Sequence, residues 1–555
     1  MENKNLAVLD DYKGFIRVDG RKLVDENGKE YYIKSINLTN KAISKPKTAD
    51  VIRGDEFTED SMVELKEMGF NGTRFLINYD LFEDDATPYT YKEEGFEWLK
   101  ENLDMHRRHG LRMCLNMHVP QGGFQSWQRG DDLWKEENMR RLAALWKAIA
   151  ERFKDDPALL GYGLINEPLY TSYRPQDVET DFRRVFEFLC NTIREVDTNH
   201  MMFVERIYAI KDLNTKIVHW GLHNNNGNFV LINDNNTVYE FHDYAPFIYT
   251  HQVIGGTGLK EDPVYPSYDK CRATGRVISK FSTPGQKADV TNPEWQFVES
   301  DFYTFDGNTD EVNVIGTALE ASYLGENGVA YFDNMTLKEY DANGNFIRDF
   351  WFEDFETSEW KEYRLWSEDG SGKWGLSIEN PYQGRICYKI AGIKGLSSIS
   401  KNKFVPTKGN MYKVNCYVKV VNAEEGAIVR PKIDACHADN VEIPNIDLLR
   451  KSMQGAIDFS TKYNVPVYCG ESGLVNRCFD DNRFGTNRGG GQWIEDMLGL
   501  FYEANIGFAY FMYKGGRKEV TDFGMYRTYA PVVVGKDRIA NCYNALCNAL
   551  SKMKK

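Results

Sequence analysis

The stretch GYGLINEPLY, Gly161–Tyr170, begins as a strand suited to an apolar interior and ends in an amide and a carboxylate. Leu159 and Leu160 precede it, Leu164 and Ile165 continue it, and Asn166 and Glu167 then stand side by side. Pro168 stops the run, because it has no N–H to give to a ladder. A short apolar run closed in this way suits a strand buried on both faces, and such strands occur in parallel sheets covered by helices.

The neighbouring sequence repeats the pattern. FTEDSMVELKEMG predicts a helix with Thr58 as N-cap and Gly69 as C-cap, followed by the strand NGTRFLI. EGFEWLKENLDMHRRHG, ending at Gly110, is amphipathic, and LRMCLNMHV follows as a strand. The helical DLWKEENMRRLAALWKAIAERFKDD leads into the opening stretch. After it come a helix in ETDFRRVFEFLCNTIREVD and strands in MMFVE and TVYEFHDY. At the N-terminal end, turns at Asp19-Gly20 and Asn27-Gly28 predict a hairpin before the first strand.

From about Ser267 to Asn440 the helical period disappears. Short alternating runs such as VNVIGTALEASY, GVAYFDNMTLKEY and MYKVNCYVKVV lie between Gly, Asn and Asp turns, a pattern of sandwich type. The helix–strand alternation then resumes with NIDLLRKSMQGAIDFSTKYN, VPVYCGE, GGQWIEDMLGLFYEAN, GFAYFMY and a closing helix. Outside the interruption there are eight strands, near Ile33, Arg74, Leu115, Leu164, Phe203, Phe241, Tyr468 and Tyr510. Eight such units predict an α/β fold, a (β/α)8 TIM barrel, with an all-β jelly-roll or sandwich domain inserted after strand six. The expected boundaries are 1–266 and 441–555 for the barrel and 267–440 for the insertion.

Composition narrows the function. The chain has 555 residues, 42% hydrophobic and 14% aromatic, enough for large cores. A net charge of -14 disfavours nucleic acid and anionic membranes as partners, and no apolar run approaches a membrane span. The N-terminal MENKNLAVLDDYKGF lacks the apolar core of a signal peptide, so the chain as written reads as cytoplasmic, or as secreted if a leader precedes it. The ten cysteines have no metal-finger spacing and read as reduced thiols.

In a barrel the chemistry collects at the C-terminal ends of the strands. Those ends carry Arg74 on strand two, Asn116 and His118 on three, Asn166 and Glu167 on four, and Glu205 on five. Strand six supplies His242 and Tyr244, strand seven Glu471, and strand eight Tyr510, Phe511 and Tyr513. Strands four and seven lie on opposite sides of a barrel mouth. A glutamate on each is the carboxylate pair that glycoside hydrolysis needs, one protonated to release the leaving oxygen and one ionised to attack the sugar carbon.

These motifs together resemble glycoside hydrolase family 5, the (β/α)8 retaining β-glycosidases that include many cellulases and mannanases. GFNGTR, MHVPQGG, LINEP, EFHDYAPF with the following YTHQ, and YCGESG resemble its motifs in their order. The resemblance implies Glu167 as acid/base and Glu471 as nucleophile. It implies that Asn166 bonds the sugar 2-hydroxyl, that Arg74 and Tyr244 hold Glu471 ionised and oriented, and that His118 and His242 line the reacting subsite. It implies neither cofactor nor metal, and an oligo- or polysaccharide as partner. The family usually places a Trp on strand eight as a floor for the sugar; here Phe511 aligns with it.

Other readings compete. His106 and His109, in the last turn of a helix, suit capping better than a metal site. Glu205 reads equally as structural or as lining a subsite. Trp127, Trp220 and Tyr249, in loops after strands three, five and six, read as sugar platforms or as loop packing. In the insertion, GVAYFDNMTLKEYD resembles the last strands of carbohydrate-binding jelly rolls and FEDFETSEW their beginning, so one sandwich in circularly permuted order is expected. Trp295, Trp351, Trp360, Trp366 and Trp374 are its candidate platforms or core. The main expectation is a retaining hydrolase of β-linked glucan or related oligosaccharides. A non-catalytic sugar-binding barrel is the alternative, as is a retaining enzyme acting as a transglycosylase or on mannan or glycolipid β-glycosides. The sequence sets neither linkage, endo or exo action, nor oligomeric state.

Overall fold

The computed structural model describes residues 14–40, 57–123, 125, 132–215, 217–252, 263–267, 279–304, 314–356, 365–368, 370–404, 406–437, 444–479, 488–515, 522–528 and 531–553. The chain divides into two compact units, one of residues 1–255, 263–268 and 444–555, the other of 256–262 and 269–443.

The first unit is a closed barrel of eight parallel strands. In chain order these are Lys34–Leu38, Gly72–Asn78, Arg112–Val119, Leu159–Gly163, Met201–Glu205, Thr237–His242, Val467–Ser472 and Gly507–Tyr510, called strands one to eight below. Each pairs with its sequence neighbours, and strand eight closes on strand one through Phe508 beside Lys34 and Tyr510 beside Ile36. Strand seven pairs with strand six across the whole inserted segment. All eight expected strands are present; six contain their expected centres, while strand one begins just after Ile33 and strand four ends just before Leu164.

The helices follow the predicted caps. Glu59–Met68 begins after Thr58 and ends at Gly69, whose φ of 100° is the left-handed conformation that glycine adopts without strain. Helices Glu93–Arg108, Glu136–Phe153 and Val178–Arg194 turn their apolar stripes inward. The single helix expected over 445–464 is two, Ile446–Ser452 and Gln454–Tyr463. The break falls where Ser452 Oγ lies 2.7 Å from Asp243 Oδ2, just past strand six. A small sheet of Leu169–Ser172, Ala209–Asp212 and Val218–His219 follows strands four and five, without a counterpart in the sequence reading.

The barrel interior is packed, as short barrels require. Ile33, Cys114, Leu160, Met201, Phe203, Val238, Tyr468 and Ala509 form its lower layer, and Ile16 and Leu23 from the N-terminal hairpin join them. That hairpin, Arg17–Asp19 with Lys22–Val24, thus plugs the end of the barrel opposite the site. Among the described residues, no helix is long and apolar enough to cross a membrane, and Cys114, Cys190, Cys387, Cys416, Cys469, Cys478, Cys542 and Cys547 are unbridged.

The second unit holds two antiparallel sheets. One runs in the order Ser279–Thr283, Ile428–His437, Val314–Ser322, Ser397–Phe404, Trp366–Ser367; the other Gln296–Glu299, Met411–Val421, Val329–Tyr340, Cys387–Ala391, Lys373–Ser377. Val329–Tyr340 pairs along most of its length with Met411–Val421, so early and late segments share one sheet. They also share one core, with Leu319, Phe332 and Leu337 packed with Tyr388, Val414, Val418 and Ile433. Among the aromatic candidates, Trp351 packs on that core, Trp295 meets Tyr382 edge-on at 5.6 Å and Trp374 is exposed. Trp360 and the side chain of Trp366 lie outside the described residues.

Candidate active site

The barrel's closure brings its strand ends to one point, centred on Arg74. This fully buried guanidinium, from the middle of strand two, donates through Nε to Glu240 Oε1 at 2.8 Å and through Nη1 to Glu471 Oε1 at 2.8 Å. Nη1 also reaches Asn37 Oδ1 at 3.1 Å, and Nη2 reaches Asn166 Oδ1 at 2.8 Å. One planar fork therefore binds side chains from strands one, six and seven and from the end of strand four, a task its fixed donor geometry suits. Its own pKa is raised: burial alone would lower it, but the charges of Glu240, Glu471 and Glu205 outweigh burial.

Glu471 accepts a second bond, from the Tyr244 hydroxyl to Oε2 at 2.9 Å. Both oxygens are thus aimed, with a cation beside one of them. Burial and the charges of Glu471 and Glu167 push the Tyr244 phenol well above its ordinary value, so it stays a donor at any working pH. Gly470 explains the glycine of the YCGESG motif. A Cβ there would sit 1.8 Å from Glu240 Oε1 and 3.0 Å from Arg74 Nε, so the Arg74–Glu240 pair fits only against bare backbone. Asn37 Nδ2 donates to the Gly470 carbonyl at 2.9 Å, fixing that backbone from strand one.

Glu167 stands opposite. His242 Nδ1 lies 2.9 Å from Glu167 Oε1 and 3.6 Å from Glu471 Oε2. One oxygen from each glutamate and one His242 nitrogen all lie within 4.8 Å of one another. Glu167 has φ of +42°, a left-handed conformation costing a side-chain-bearing residue on the order of 1–2 kcal/mol. Such strain persists where surrounding contacts hold it, and these positions concentrate at functional sites.

The two histidines respond oppositely to this surrounding. Burial, reinforced by Arg74, pulls His118 down to about 3, which leaves its ring neutral. Burial would also lower His242, but the carboxylates of Glu205, Glu471, Glu167 and Glu240 outweigh it and raise its pKa well above the usual range. His118 can therefore exchange hydrogen bonds with a hydroxyl, whereas His242 carries a positive charge between the glutamates.

The structure thus brings together Arg74, His118, Asn166, Glu167, His242, Tyr244 and Glu471. Phe511 sits just past strand eight, partly exposed, with its ring 6.2 Å from Tyr244 and 5.7 Å from Phe523, both edge-on. Trp220 is partly exposed and meets Tyr208 edge-on at 5.3 Å, an arrangement of the loops after strand five. Trp127 lies outside the described residues. Tyr249 is no platform: it is fully buried, donating its hydroxyl to the Arg488 carbonyl at 2.9 Å. His106 is not a capping cation either. It is a core histidine between Thr73 Oγ1 at 2.8 Å and Asn102 O at 2.7 Å, lowered to about 4 by burial. His109 occupies the capping position and pairs with Glu59.

Sequence reasoning missed Glu240, Asn37 and the role of Gly470. For Glu240 a signal existed: it lies two residues before His242 on one strand, hence on the same face. Glu205 was left open. Its Oε2 accepts the Glu167 N–H at 2.7 Å and its Oε1 is 3.5 Å from His242 Nε2. Burial, together with Glu240 and Glu167, raises its carboxyl to about 8.

The fold and the site define a (β/α)8 barrel with paired glutamates at the ends of strands four and seven. Residues 24–298 match the family model described as cellulase (glycosyl hydrolase family 5), and they carry a glycoside hydrolase family 5 domain. The chain is 25% identical over 266 residues to a β-xylosidase of Phanerodontia chrysosporium, covering 42% of this chain and 52% of that protein. It is 27% identical over 271 residues to an endoglucanase of Paenibacillus polymyxa, covering 46% and 65%. A solved structure titled as a glycoside hydrolase aligns with TM-score 0.49 at 13% identity, over 94% of this chain and 99% of that one. The chain thus spans between about half and two thirds of the length of these curated relatives.

Proposed function

We propose that the barrel is a retaining glycoside hydrolase acting on β-linked glucan or related oligosaccharides. The observation that carries the reading is the spacing of the two carboxylates. One oxygen of each lies within 4.8 Å of the other, with a His242 nitrogen within that distance of both. Retaining glycosidases place their carboxyl groups about 5 Å apart, whereas inverting ones need about 6.5–9.5 Å for a water.

In the first step a Glu471 oxygen, aimed by Arg74 and Tyr244, attacks the anomeric carbon. A glycosyl ester bond forms as the glycosidic C–O bond breaks, and Glu167 gives its proton to the departing oxygen. In the second step Glu167 takes a proton from water, the water oxygen attacks the same carbon, and the ester bond breaks to restore Glu471. Arg74 and the charged His242 keep four glutamates compatible within one pocket. Asn166, anchored by Arg74, is placed for the sugar 2-hydroxyl, and Phe511 is a smaller floor than the tryptophan usual in the family. The substrate class draws on relatives named as endoglucanase and β-xylosidase.

The inserted unit we read as one carbohydrate-binding-module-like sandwich in permuted order. The pairing of Val329–Tyr340 with Met411–Val421 supports a single module.

The deciding experiment follows the product anomer by NMR during hydrolysis of a panel of β-glucosides, β-cellobiosides and β-xylosides, with an alcohol acceptor in a parallel run. A first-formed β-anomer supports double displacement. A first-formed α-anomer overturns it, and no turnover across the panel favours the sugar-binding alternative. Dominant alkyl glycoside would assign the chain to transglycosylation.

A further inference from the structure

We propose that Glu205 is a positioning residue for Glu167, its carboxyl group clamping the main chain of the acid/base from the end of strand five. This rests on the hydrolase reading above.

The argument starts from where the backbone bonds of strand four go. The strand leaves its ladder after Gly163. Leu164 N–H still donates to Phe203 O on strand five at 3.2 Å, but Asn166 N–H turns to Met117 O on strand three at 3.1 Å. The next donor, Glu167 N–H, is taken by Glu205 Oε2 at 2.7 Å. Pro168 then has no N–H, and its carbonyl accepts from Tyr208 N–H at 3.1 Å. Three successive attachments hold this segment, and a side chain makes the middle one. It acts on the one residue of the segment with positive φ, +42°.

Glu205 also reaches the Glu167 side chain through a single ring. Its Oε1 is 3.5 Å from His242 Nε2, while His242 Nδ1 is 2.9 Å from Glu167 Oε1. Glu205 spends one oxygen on the Glu167 N–H and turns the other toward His242, so its influence on the reaction runs through Glu167. Because its carboxyl is raised to about 8, first by burial and then by Glu240 and Glu167, its work near neutral pH needs no negative charge. A glutamine, with the same shape and one acceptor oxygen, should therefore replace it; an alanine should not.

The test compares two aryl glycosides that differ only in their need for acid catalysis. 2,4-Dinitrophenolate leaves without a proton, whereas phenolate needs one. Wild type, Glu205→Ala and Glu205→Gln are assayed for kcat/KM on the phenyl and 2,4-dinitrophenyl forms of whichever β-glucoside, β-cellobioside or β-xyloside the wild type turns over. General acid catalysis is worth about 10²–10⁴-fold, so partial misplacement should lower the phenyl rate of Glu205→Ala by about 30-fold or more and the dinitrophenyl rate by less than about 3-fold. Glu205→Gln should stay within about 5-fold of wild type on both. An equal loss on the two substrates, in either variant, overturns the positioning role, as does a wild-type-like alanine variant. If alanine does not fold, judged by its melting curve, Glu205→Asp, one methylene too short to keep the bond to the Glu167 N–H, replaces it and is held to the same criterion. A wild type inert on every pair overturns the hydrolase reading itself, and the inference falls with it.

Discussion

Arg74 Nη1 and Glu471 Oε1 lie 2.8 Å apart, although 397 positions of chain separate the two residues and the whole sandwich unit intervenes in sequence. The same guanidinium serves Glu240, Asn37 and Asn166, and a lysine's single ammonium cannot span four acceptors. Arg74→Lys is expected to lower kcat/KM by about 10²-fold or more. Arg74→Leu leaves Glu240 buried without its cation and is expected to destabilise the fold by about 3–5 kcal/mol in urea unfolding. A leucine variant of wild-type stability would show that the pair is not what holds this layer.

Glu471→Ala removes the group read as nucleophile. Turnover of a β-glycoside is expected to fall by about 10⁴-fold or more. Added azide, small enough to enter the vacated space, is expected to restore turnover of an activated aryl glycoside and give the α-glycosyl azide. Hydrolysis at a normal rate in this variant would reassign the nucleophile.

Gly470→Ala tests close packing beside the ion pair. The new Cβ would overlap Glu240 Oε1, so the strand or the pair must shift. Overpacking of this kind costs about 1–3 kcal/mol, and the melting temperature is expected to fall accordingly. Activity should fall with it, because Arg74 moves with Glu240. An unchanged melt and rate would mean that the pair relocates freely.

The buried His106 makes a pH prediction. Its folded pKa, about 4, lies below the ordinary 6.5. The unfolded chain therefore binds a proton that the folded one refuses, and the stability His106 provides is complete above pH 6.5 and lost as pH falls toward 4. His106→Gln removes both this dependence and the bonds to Thr73 and Asn102. Its destabilisation should be largest near pH 7 and shrink on acidification, by roughly 1.4 kcal/mol per pH unit between 6.5 and 4. Paired urea titrations at pH 7 and 4.5 measure it, and an equal cost at both would show that the ring is not held neutral.

Phe511→Ala tests the floor of the pocket. Losing one aromatic face is worth about 0.5–1.5 kcal/mol, so KM is expected to rise by up to about 10-fold with little change in stability. A steady-state comparison on the substrate found in the panel checks this. An unchanged KM would place the sugar elsewhere.

What was legible in the sequence was whatever depends on neighbours in the chain. The eight strands, the caps at Thr58 and Gly69 and the interruption between strands six and seven follow from local period and turn residues. The identities of Glu167, Glu471, Arg74, His242 and Tyr244 came from motifs at strand ends, each readable within a few residues. The single helix expected over 445–464 is broken at Met453, beside Ser452, whose hydroxyl meets the distant Asp243 only in the fold. His106 looked like a helix-end cation because helix position is local, whereas its burial against Thr73 is not. Glu240 passed as an ordinary acid of an apolar strand, and Glu205 stayed open between a structural role and lining a subsite. Barrel closure sets Glu240 beside Glu205 in register and aims both into one pocket with Arg74 and His242. The sequence by itself determined which chemical groups stand at the strand ends. Only the tertiary structure decided which of them share a proton, a cation or a backbone N–H, because those couplings depend on distances of a few ångströms between residues far apart in the chain.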